Sequence, residues 1–492
     1  MNSDKTFFGH PRGLATLFFT EMWERFSYYG MRALLLLFMV TSVEKGGMGL
    51  DDKTGGAVYG LYTMFVYLLS LPGGWLADKV FGLRNAVFYG GCIITLGHLC
   101  LAIPSTETFF LGLLLIVIGT GLLKPNISSL VGALYSKDES ARRDAGFSIF
   151  YMGINIGATI SPFITGYLGQ KVDWHLGFGA AGVGMALGTV QYVLTARHLG
   201  QAGILPEPTL REAKTRRNIL YGMWAVIALL AVYVFLLFNH TLSIDPIAFA
   251  NAARFMLLAC AIVYFAVVLI FEKLEPEERK RVTAIGIFFF VSALFYAGFE
   301  QQGSTLNLFA ERYTNMFGIP SAFFQSVPTI YVVMFVPVVA WLWQWLAKRK
   351  LDPSIPAKLS FGLIFMGLGF AVMIGASYVV VAGDKPWPTW LAVTYLLHTF
   401  GEICLYPIGL SAVTKLAPQR LVGQMMGVWF MSLALGNLNA GIISGEFDEK
   451  TILQNPSVMV DLFALMTKVM IICGLIVLLL SKPIRKLIGN VQ

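Results

Sequence analysis

The chain has 492 residues, of which 56% are hydrophobic and only 13% charged, with a formal net charge of +8. Soluble domains carry roughly 25% charged residues, so this composition excludes an ordinary water-soluble domain and asks for an apolar solvent. Apolar stretches of about 20 residues recur along the whole length, each long enough to cross about 30 Å of hydrocarbon.

In chain order, fourteen such stretches are expected as transmembrane helices: about 14–41, 55–79, 84–103, 107–134, 142–170, 174–196, 217–238, 250–272, 282–310, 321–347, 358–381, 388–416, 420–444 and 458–481. No cleavable signal peptide is expected ahead of them. Met1 to Gly13 is short and polar, with Lys5 and Arg12, and the following span is too long for an h-region.

The first span is interrupted by Glu21, Glu24, Arg25 and Arg32. A charged side chain at the bilayer centre costs roughly 2.5–3.5 kcal/mol on translocon scales, so a partner or an aqueous cavity must offset it. At 3.6 residues per turn, Glu21, Arg25, Tyr28 and Arg32 share one stripe, with Glu24 and Tyr29 at its flanks. That stripe reads as the wall of a polar cavity inside a membrane protein. A structural ion pair that locks two helices accounts for Glu21 and Arg25 at i, i+4, but leaves Glu24 and Arg32 without a role.

The distribution of Lys and Arg sets topology. Of 36, 25 lie in the N-terminus, alternate loops and the C-terminus, and 6 in the other loops. That split places both termini in the cytoplasm by the positive-inside rule, and it removes nucleic acid as the partner of the positive charge. The five cysteines (92, 100, 260, 404 and 473) all fall in apolar spans and indicate no disulfide framework. The six histidines show no metal-ligand spacing, and His98 and His398, inside spans, read as satisfied core histidines.

A weak internal repeat suggests two homologous bundles, a design common in secondary transporters. Gly119 to Pro125 (GTGLLKP) and Gly401 to Pro407 (GEICLYP) share their Gly-to-Pro spacing, and Phe150-Tyr151-Met152 with Gly157 lines up with Trp429-Phe430-Met431 and Gly436. Two six-helix bundles are expected at 14–196 and 282–482, with a linker and two extra helices at 197–281. The linker is Pro- and Gly-rich from Gln201 to Pro208, and a basic run at Arg211–Arg217 follows. Gly73-Gly74 permits close helix approach, and Asp78, Lys79 and Arg84 just after it are candidates for a latch between helices.

Three further charges fall inside spans: Lys124 in the fourth, Glu300 in the ninth and Glu402 in the twelfth. With the first stripe, the membrane interior holds four acids and three bases, the near-neutral sum expected where such groups pair. Arg32 and Lys124 belong to the first bundle, and Glu300 and Glu402 to the second. Ion pairs between bundles would close a cavity, and protonation or a zwitterionic ligand such as a short peptide would release them. Structural pairing alone is the alternative to this functional reading of each.

These residues resemble the proton-coupled oligopeptide transporters of the major facilitator superfamily. Glu21-x-x-Glu24-Arg25-Phe26-x-Tyr28-Tyr29-Gly30 is similar to the family's ExxERFxYYG motif without departure. Gly74-Trp-Leu-Ala-Asp78-Lys79 with Gly82 and Arg84 is similar to the superfamily's loop motif with one residue inserted. Phe150-Tyr151-Met-Gly-Ile-Asn155-Ile-Gly157, Phe299-Glu300-Gln301-Gln302-Gly303-Ser304, Gly401-Glu402 through Pro407 and Met426-Gly427-Val-Trp429 extend the resemblance to about residue 440.

The resemblance implies an all-α membrane fold of fourteen helices and proton coupling through Glu21, Glu24, Arg25 and Glu300. It makes Arg32 and Lys124 the wall facing a peptide carboxylate and Glu402 the contact for its amino terminus. Tyr29, Tyr67 and Asn155 would bind the peptide in the first bundle, and Trp429 and Ser432 would line the pocket in the second. Arg32–Glu300 and Lys124–Glu402 would be the switching ion pairs, with Asp78 and Arg84 in gating. The chain departs from the family at Pro328-Thr329, where Asn-Pro is usual and the Asn helps hold the amino terminus; Gln325 or Thr329 are the candidates to compensate.

The expected function is a proton-driven symporter of the bacterial inner membrane. It would import di- and tripeptides by alternating access, with peptide bound between the two bundles. The expected partners are peptides, protons and the lipid bilayer, and not nucleic acid. The protein is expected to act as a monomer, with no cofactor beyond the proton as coupling ion. Its rivals are a carrier of another solute such as nitrate, a membrane enzyme, for which no nucleophile–base set or metal ligands are found, and a receptor or channel.

Overall fold

A computed structural model describes residues 6–136, 138–205, 209–239, 241 and 243–489. Lys5, Lys137, His240 and linker residues 206–208, used in the sequence reading, lie outside the described residues. The architecture is helical, with one isolated β-bridge, between Phe7 and His10, among the described residues.

In chain order the helices are α1 (Arg12–Val40), α2 (Asp52–Leu68), α3 (Ser70–Leu76), α4 (Gly82–Leu101), α5 (Thr106–Gly132), α6 (Ser140–Tyr167), α7 (Trp174–Thr195) and α8 (Leu210–Phe238). They continue with α9 (Pro246–Phe271), α10 (Pro276–Phe299), α11 (Thr305–Tyr313), α12 (Val327–Lys348), α13 (Ile355–Val381) and α14 (Thr389–Leu416). The last are α15 (Val422–Ser444), α16 (Glu449–Gln454), α17 (Ser457–Leu479) and α18 (Ser481–Ile488). Helix is the form an apolar chain takes in hydrocarbon, because each backbone N–H and C=O must find its partner inside the segment.

Among the described residues, 12 helical stretches are long and apolar enough to cross a membrane. One of them, Asp52–Leu101, runs for 50 residues and is divided at Gly82, whose φ of 75° suits glycine and strains other residues. α1 is not among the 12, since it carries Glu21, Glu24, Arg25 and Arg32. The expected count of fourteen therefore rests on including α1 and on dividing that long stretch; length and composition alone do not supply it.

Contacts divide the chain into two compact units, the first Met1–Met31 with Leu68–Pro246, the second Arg32–Tyr67 with Ile247–Gln492. The division passes through α1 between Met31 and Arg32.

In the first unit, Leu14, Leu17, Val87, Leu123, Ile127 and Met185 form a core shared by α1, α4, α5 and α7. α6 lies close against α1. A Cβ on Gly157 would fall on the Met22 carbonyl and 3.0 Å from the Phe26 nitrogen, and Thr165 donates to the Gly30 carbonyl at 3.1 Å. Such backbone proximity is how helices pack in lipid, where apolar burial gives no driving force.

In the second unit, α2 meets α15 through glycines: a Cβ on Gly441 would lie 2.5 Å from the Gly60 nitrogen. Asp52, at the start of α2 and 5% exposed, accepts from Arg312 at 2.7 and 3.1 Å and from the Glu449 backbone at 2.8 Å, joining α2, α11 and α16. Beside it, Asp448 caps α16, and bonds from the Thr451 hydroxyl and backbone N–H hold its carboxyl below the usual range despite burial.

α9 buries Ala250, Ala253, Leu257, Ala261 and Phe265, and the Tyr264 hydroxyl donates to the Gln424 side-chain oxygen at 3.1 Å. The span expected at 282–310 is broken. A 3₁₀ turn, Glu300–Gly303, separates α10 from α11, and the Gln301 amide donates to the Ala297 carbonyl at the end of α10 (2.9 Å) and to the Ala440 carbonyl of α15 (3.3 Å). A short 3₁₀ stretch inside a span marks a functional position, and Glu300 opens this one.

Replacing Gly441 by Val is expected to push α2 from α15 and to cost about 1–3 kcal/mol, the usual penalty of overpacking. Thermal unfolding of the purified protein checks it: a Tm equal to wild type would mean that the two helices separate without loss.

Candidate functional site

Two clusters of buried charge stand in the two units. In the first unit, helical spacing puts Glu21 and Arg25 on one face of α1, and their Nε to Oε1 distance is 3.1 Å. Arg25 also pairs with Glu24, and its guanidinium lies over the Tyr28 ring, 5.2 Å from the centroid. Glu21, Glu24 and Arg25 are 3%, 0% and 4% exposed.

One oxygen of each carboxylate and Nη2 of Arg25 have no hydrogen-bond partner among the described residues, so the cluster keeps capacity for another polar group. Lys124, beside Pro125 within α5, is close enough to act electrostatically on Glu21. The cluster thus balances two acids with two bases, which lowers the cost of holding charge in hydrocarbon.

Tyr29 packs edge-on against Tyr28 at 5.3 Å. Asn155 donates its amide to the Tyr151 carbonyl at 2.8 Å, leaving its side-chain oxygen as the group with which it would receive a ligand donor.

In the second unit, Arg32 Nη2 reaches Glu300 Oε2 at 2.5 Å, and Arg32 Nε donates to the Tyr59 hydroxyl at 2.9 Å. Arg32 is 8% exposed and Glu300 3%, so this ion pair is shielded from water and holds strongly. The expected partnership of Arg32 with Glu300 is therefore formed.

Glycine makes room for it: a Cβ on Gly303 would fall on the Tyr59 hydroxyl and within 2.9 Å of Arg32 Nε. Glu402, on α14, lies within electrostatic reach of Glu300. Tyr296 sits among Glu300, Glu402, Tyr67 and Tyr406, its ring 6.4 Å from that of Tyr406. Among the described contacts this cluster brings together two acids, Glu300 and Glu402, and the base Arg32.

Other expected site residues are engaged otherwise. Trp429 is 2% exposed and packs on Gly409, and Ser432 is fully buried with its hydroxyl on Ser292 Oγ (2.8 Å) and the Trp429 carbonyl (2.6 Å). Gln325 donates its amide to the Gln302 carbonyl at 2.6 Å, and Pro328 stands in the first turn of α12.

Asp78 is exposed, while Arg84 clasps the linker, donating to the carbonyls of Ala202 (2.7 Å) and Gly200 (2.6 Å). Lys124 falls in the first unit and Glu402 in the second. His98 is fully buried, but neither ring nitrogen finds a hydrogen-bond partner among the described residues. That corrects the expectation of a satisfied core histidine, since an apolar helix interface offers it no acceptor or donor.

Sequence reasoning missed Tyr59 and the role of Gly303. A tyrosine in an apolar span looks like packing until the arginine beside it is placed, whereas Gly303, three residues after Glu300 in a quoted motif, carried a signal.

Fold and site together define a polytopic helical membrane protein built around buried ion pairs. The sequence pattern of the POT family matches residues 84–459, and the chain belongs to that family. It is 40% identical to the peptide transporter YePEPT of Yersinia enterocolitica, over 99% of this chain and 97% of that protein. It is 37% identical to the di-/tripeptide transporter of Lactococcus lactis, over 100% of this chain and 99% of that one. The crystal structure of a POT family transporter in complex with 5-aminolevulinic acid superposes with a TM-score of 0.86 at 36% identity, covering 98% of each chain. The all-helical membrane class and major facilitator fold expected from the sequence are thereby established.

Gly303→Ala is expected to displace Arg32 from Glu300 and lower uptake about tenfold, as for loss of a charge-assisted bond of ~1.5–3 kcal/mol. In a Glu300→Gln background the same change should add little; independent, additive losses would separate Gly303 from the pair. Exchanging the charges, Arg32→Glu with Glu300→Arg, should restore part of the uptake lost in each single variant.

Proposed function

We propose that the chain is a proton-driven symporter that imports di- and tripeptides across the bacterial inner membrane by alternating access. The observation that carries this reading is the imbalance around Arg32: Glu300 and Glu402 are near one another, with one arginine bound to Glu300. In hydrocarbon an uncompensated carboxylate is costly, so the cluster favours one added positive charge. A proton supplies it in one state and a ligand ammonium in another.

Protonation of Glu300 removes the partner of Arg32, and the freed guanidinium is then available to a ligand carboxylate, while Glu402 takes the ammonium. A short peptide carries both groups. Binding of proton and peptide thereby biases the same conformational equilibrium, which is what coupling requires. The Glu21–Glu24–Arg25 cluster, whose carboxylates keep unpartnered oxygens, is the second place for a proton. The names of the relatives, a peptide transporter and a di-/tripeptide transporter, support the substrate class.

The bias of Lys and Arg supports cytoplasmic termini. The bundles at 14–196 and 282–482, a monomeric state and the absence of any cofactor or catalytic step complete the proposal. A second reading, a carrier of smaller zwitterions, is favoured by Pro328 in place of the usual Asn and by the commitment of the Gln325 amide to Gln302.

Uptake of dialanine into proteoliposomes, with and without an inward proton gradient, tests the function. Accumulation that needs the gradient is expected; uptake of small zwitterions but of no di- or tripeptide would move the assignment to the second reading. Glu402→Gln should raise KM for dipeptide about tenfold or more, as for loss of one ionic hydrogen bond of ~1.5–3 kcal/mol. An unchanged KM would remove Glu402 from the ammonium site.

A further inference from the structure

α17 ends at Leu479 and α18 begins at Ser481, so α18 starts where a span leaves the hydrocarbon. Its eight residues, Ser-Lys-Pro-Ile-Arg-Lys-Leu-Ile, place Ile484 and Ile488 on one face, Lys482 and Lys486 on the opposite one and Arg485 at the flank. Ile484 and Ile488 are 3% and 2% exposed, packed against α10 and α13. With the apolar face pinned to the protein, the three cations point outward, and all are exposed.

The end of α18 lies at the start of α10, where a Cβ on Gly489 would approach the Glu277 carboxylate at 3.9 Å. The acids of that turn are already engaged: Glu277 pairs with Lys280 at 2.8 Å and Glu278 with Arg420 at 3.1 Å. Among the described residues, Lys482, Arg485 and Lys486 make no salt bridge. Arg279, exposed on the same first turns of α10, adds to the charge.

We propose that this surface binds the anionic headgroups of phospholipids, of the phosphatidylglycerol class, in the leaflet that α17 leaves, and fastens the second unit to it. Charge complementarity selects the occupant. A basic stripe held at headgroup depth by a buried isoleucine pair attracts anionic lipid through each Lys and Arg, within a Debye length of the surface. A face meant for water alone needs no such depth. The isoleucines orient the helix, and the cations read the lipid.

The test is thermal unfolding of the full chain in nanodiscs of phosphatidylcholine, with and without phosphatidylglycerol. The anionic lipid should raise Tm of the wild type. The combined variant Lys482→Gln, Arg485→Gln, Lys486→Gln should lose more than half of that shift, while Lys482→Arg with Lys486→Arg should keep it. High salt should erase the difference between the two lipid compositions.

An equal shift in the neutralised variant, or no shift in the wild type, would overturn the proposal. So would an equal shift produced in phosphatidylcholine discs by inorganic phosphate or by a soluble acidic peptide, which would name a free anion or a protein as the occupant. These side chains are exposed, so the neutralised variant is expected to fold; if it does not, Arg485→Lys and Arg485→Gln alone decide, the first keeping the shift and the second reducing it.

Discussion

The cost of holding a charge away from water governs this structure. Arg32 lies in a helix whose neighbours are apolar, and a lone guanidinium there would be paid for by several kcal/mol of lost hydration. The structure meets that cost with three devices at once: Glu300 receives Nη2, Tyr59 receives Nε, and Gly303 withdraws its side chain so that both can approach. Two elements supply them: α2 carries the tyrosine, and the 3₁₀ turn between α10 and α11 carries both the acid and the glycine, while the arginine itself stands on α1. Arg32 thus joins α1 to α2 and to the turn.

The break between α10 and α11 follows from the same requirement. The 3₁₀ turn places Glu300 and Gly303 together at Arg32. The turn frees backbone groups of α10, and Gln301, its own side chain fully buried, donates its amide to the Ala297 carbonyl there and to the Ala440 carbonyl of α15. A polar residue that looks costly in a membrane helix is here the group that makes the break tolerable.

α1 ties the two charge clusters into one element. Arg25 and Arg32 stand seven residues apart on one uninterrupted helix, close to two turns, yet contacts assign the residues up to Met31 to one compact unit and those from Arg32 to the other. Within the second unit, Arg312 pairs with Asp52 and Glu449, and a glycine contact brings α2 against α15.

The sequence by itself determined the membrane class, the presence of most spans and the charges within them, because a helix that crosses hydrocarbon must be long and apolar and every charge in it stands out. Glu21, Glu24, Arg25, Arg32, Lys124, Glu300 and Glu402 were legible for that reason, and motif spacing was enough to expect Arg32 with Glu300. Only the tertiary structure decided what carries no cost signal of its own. Tyr59 and Gly303 are unremarkable in apolar sequence until Arg32 is seen between them, and Ser432 turns to Ser292 on a neighbouring helix. Arg84 binds carbonyls of a linker more than a hundred residues away in sequence, a partnership of backbone groups that no side-chain pattern encodes. α18, eight residues long, is shorter than any span and was missed as a separate helix. Its amphipathic character acquires meaning only once Ile484 and Ile488 are seen buried, because a stripe of charge specifies a surface only when the opposite face has a fixed place to pack.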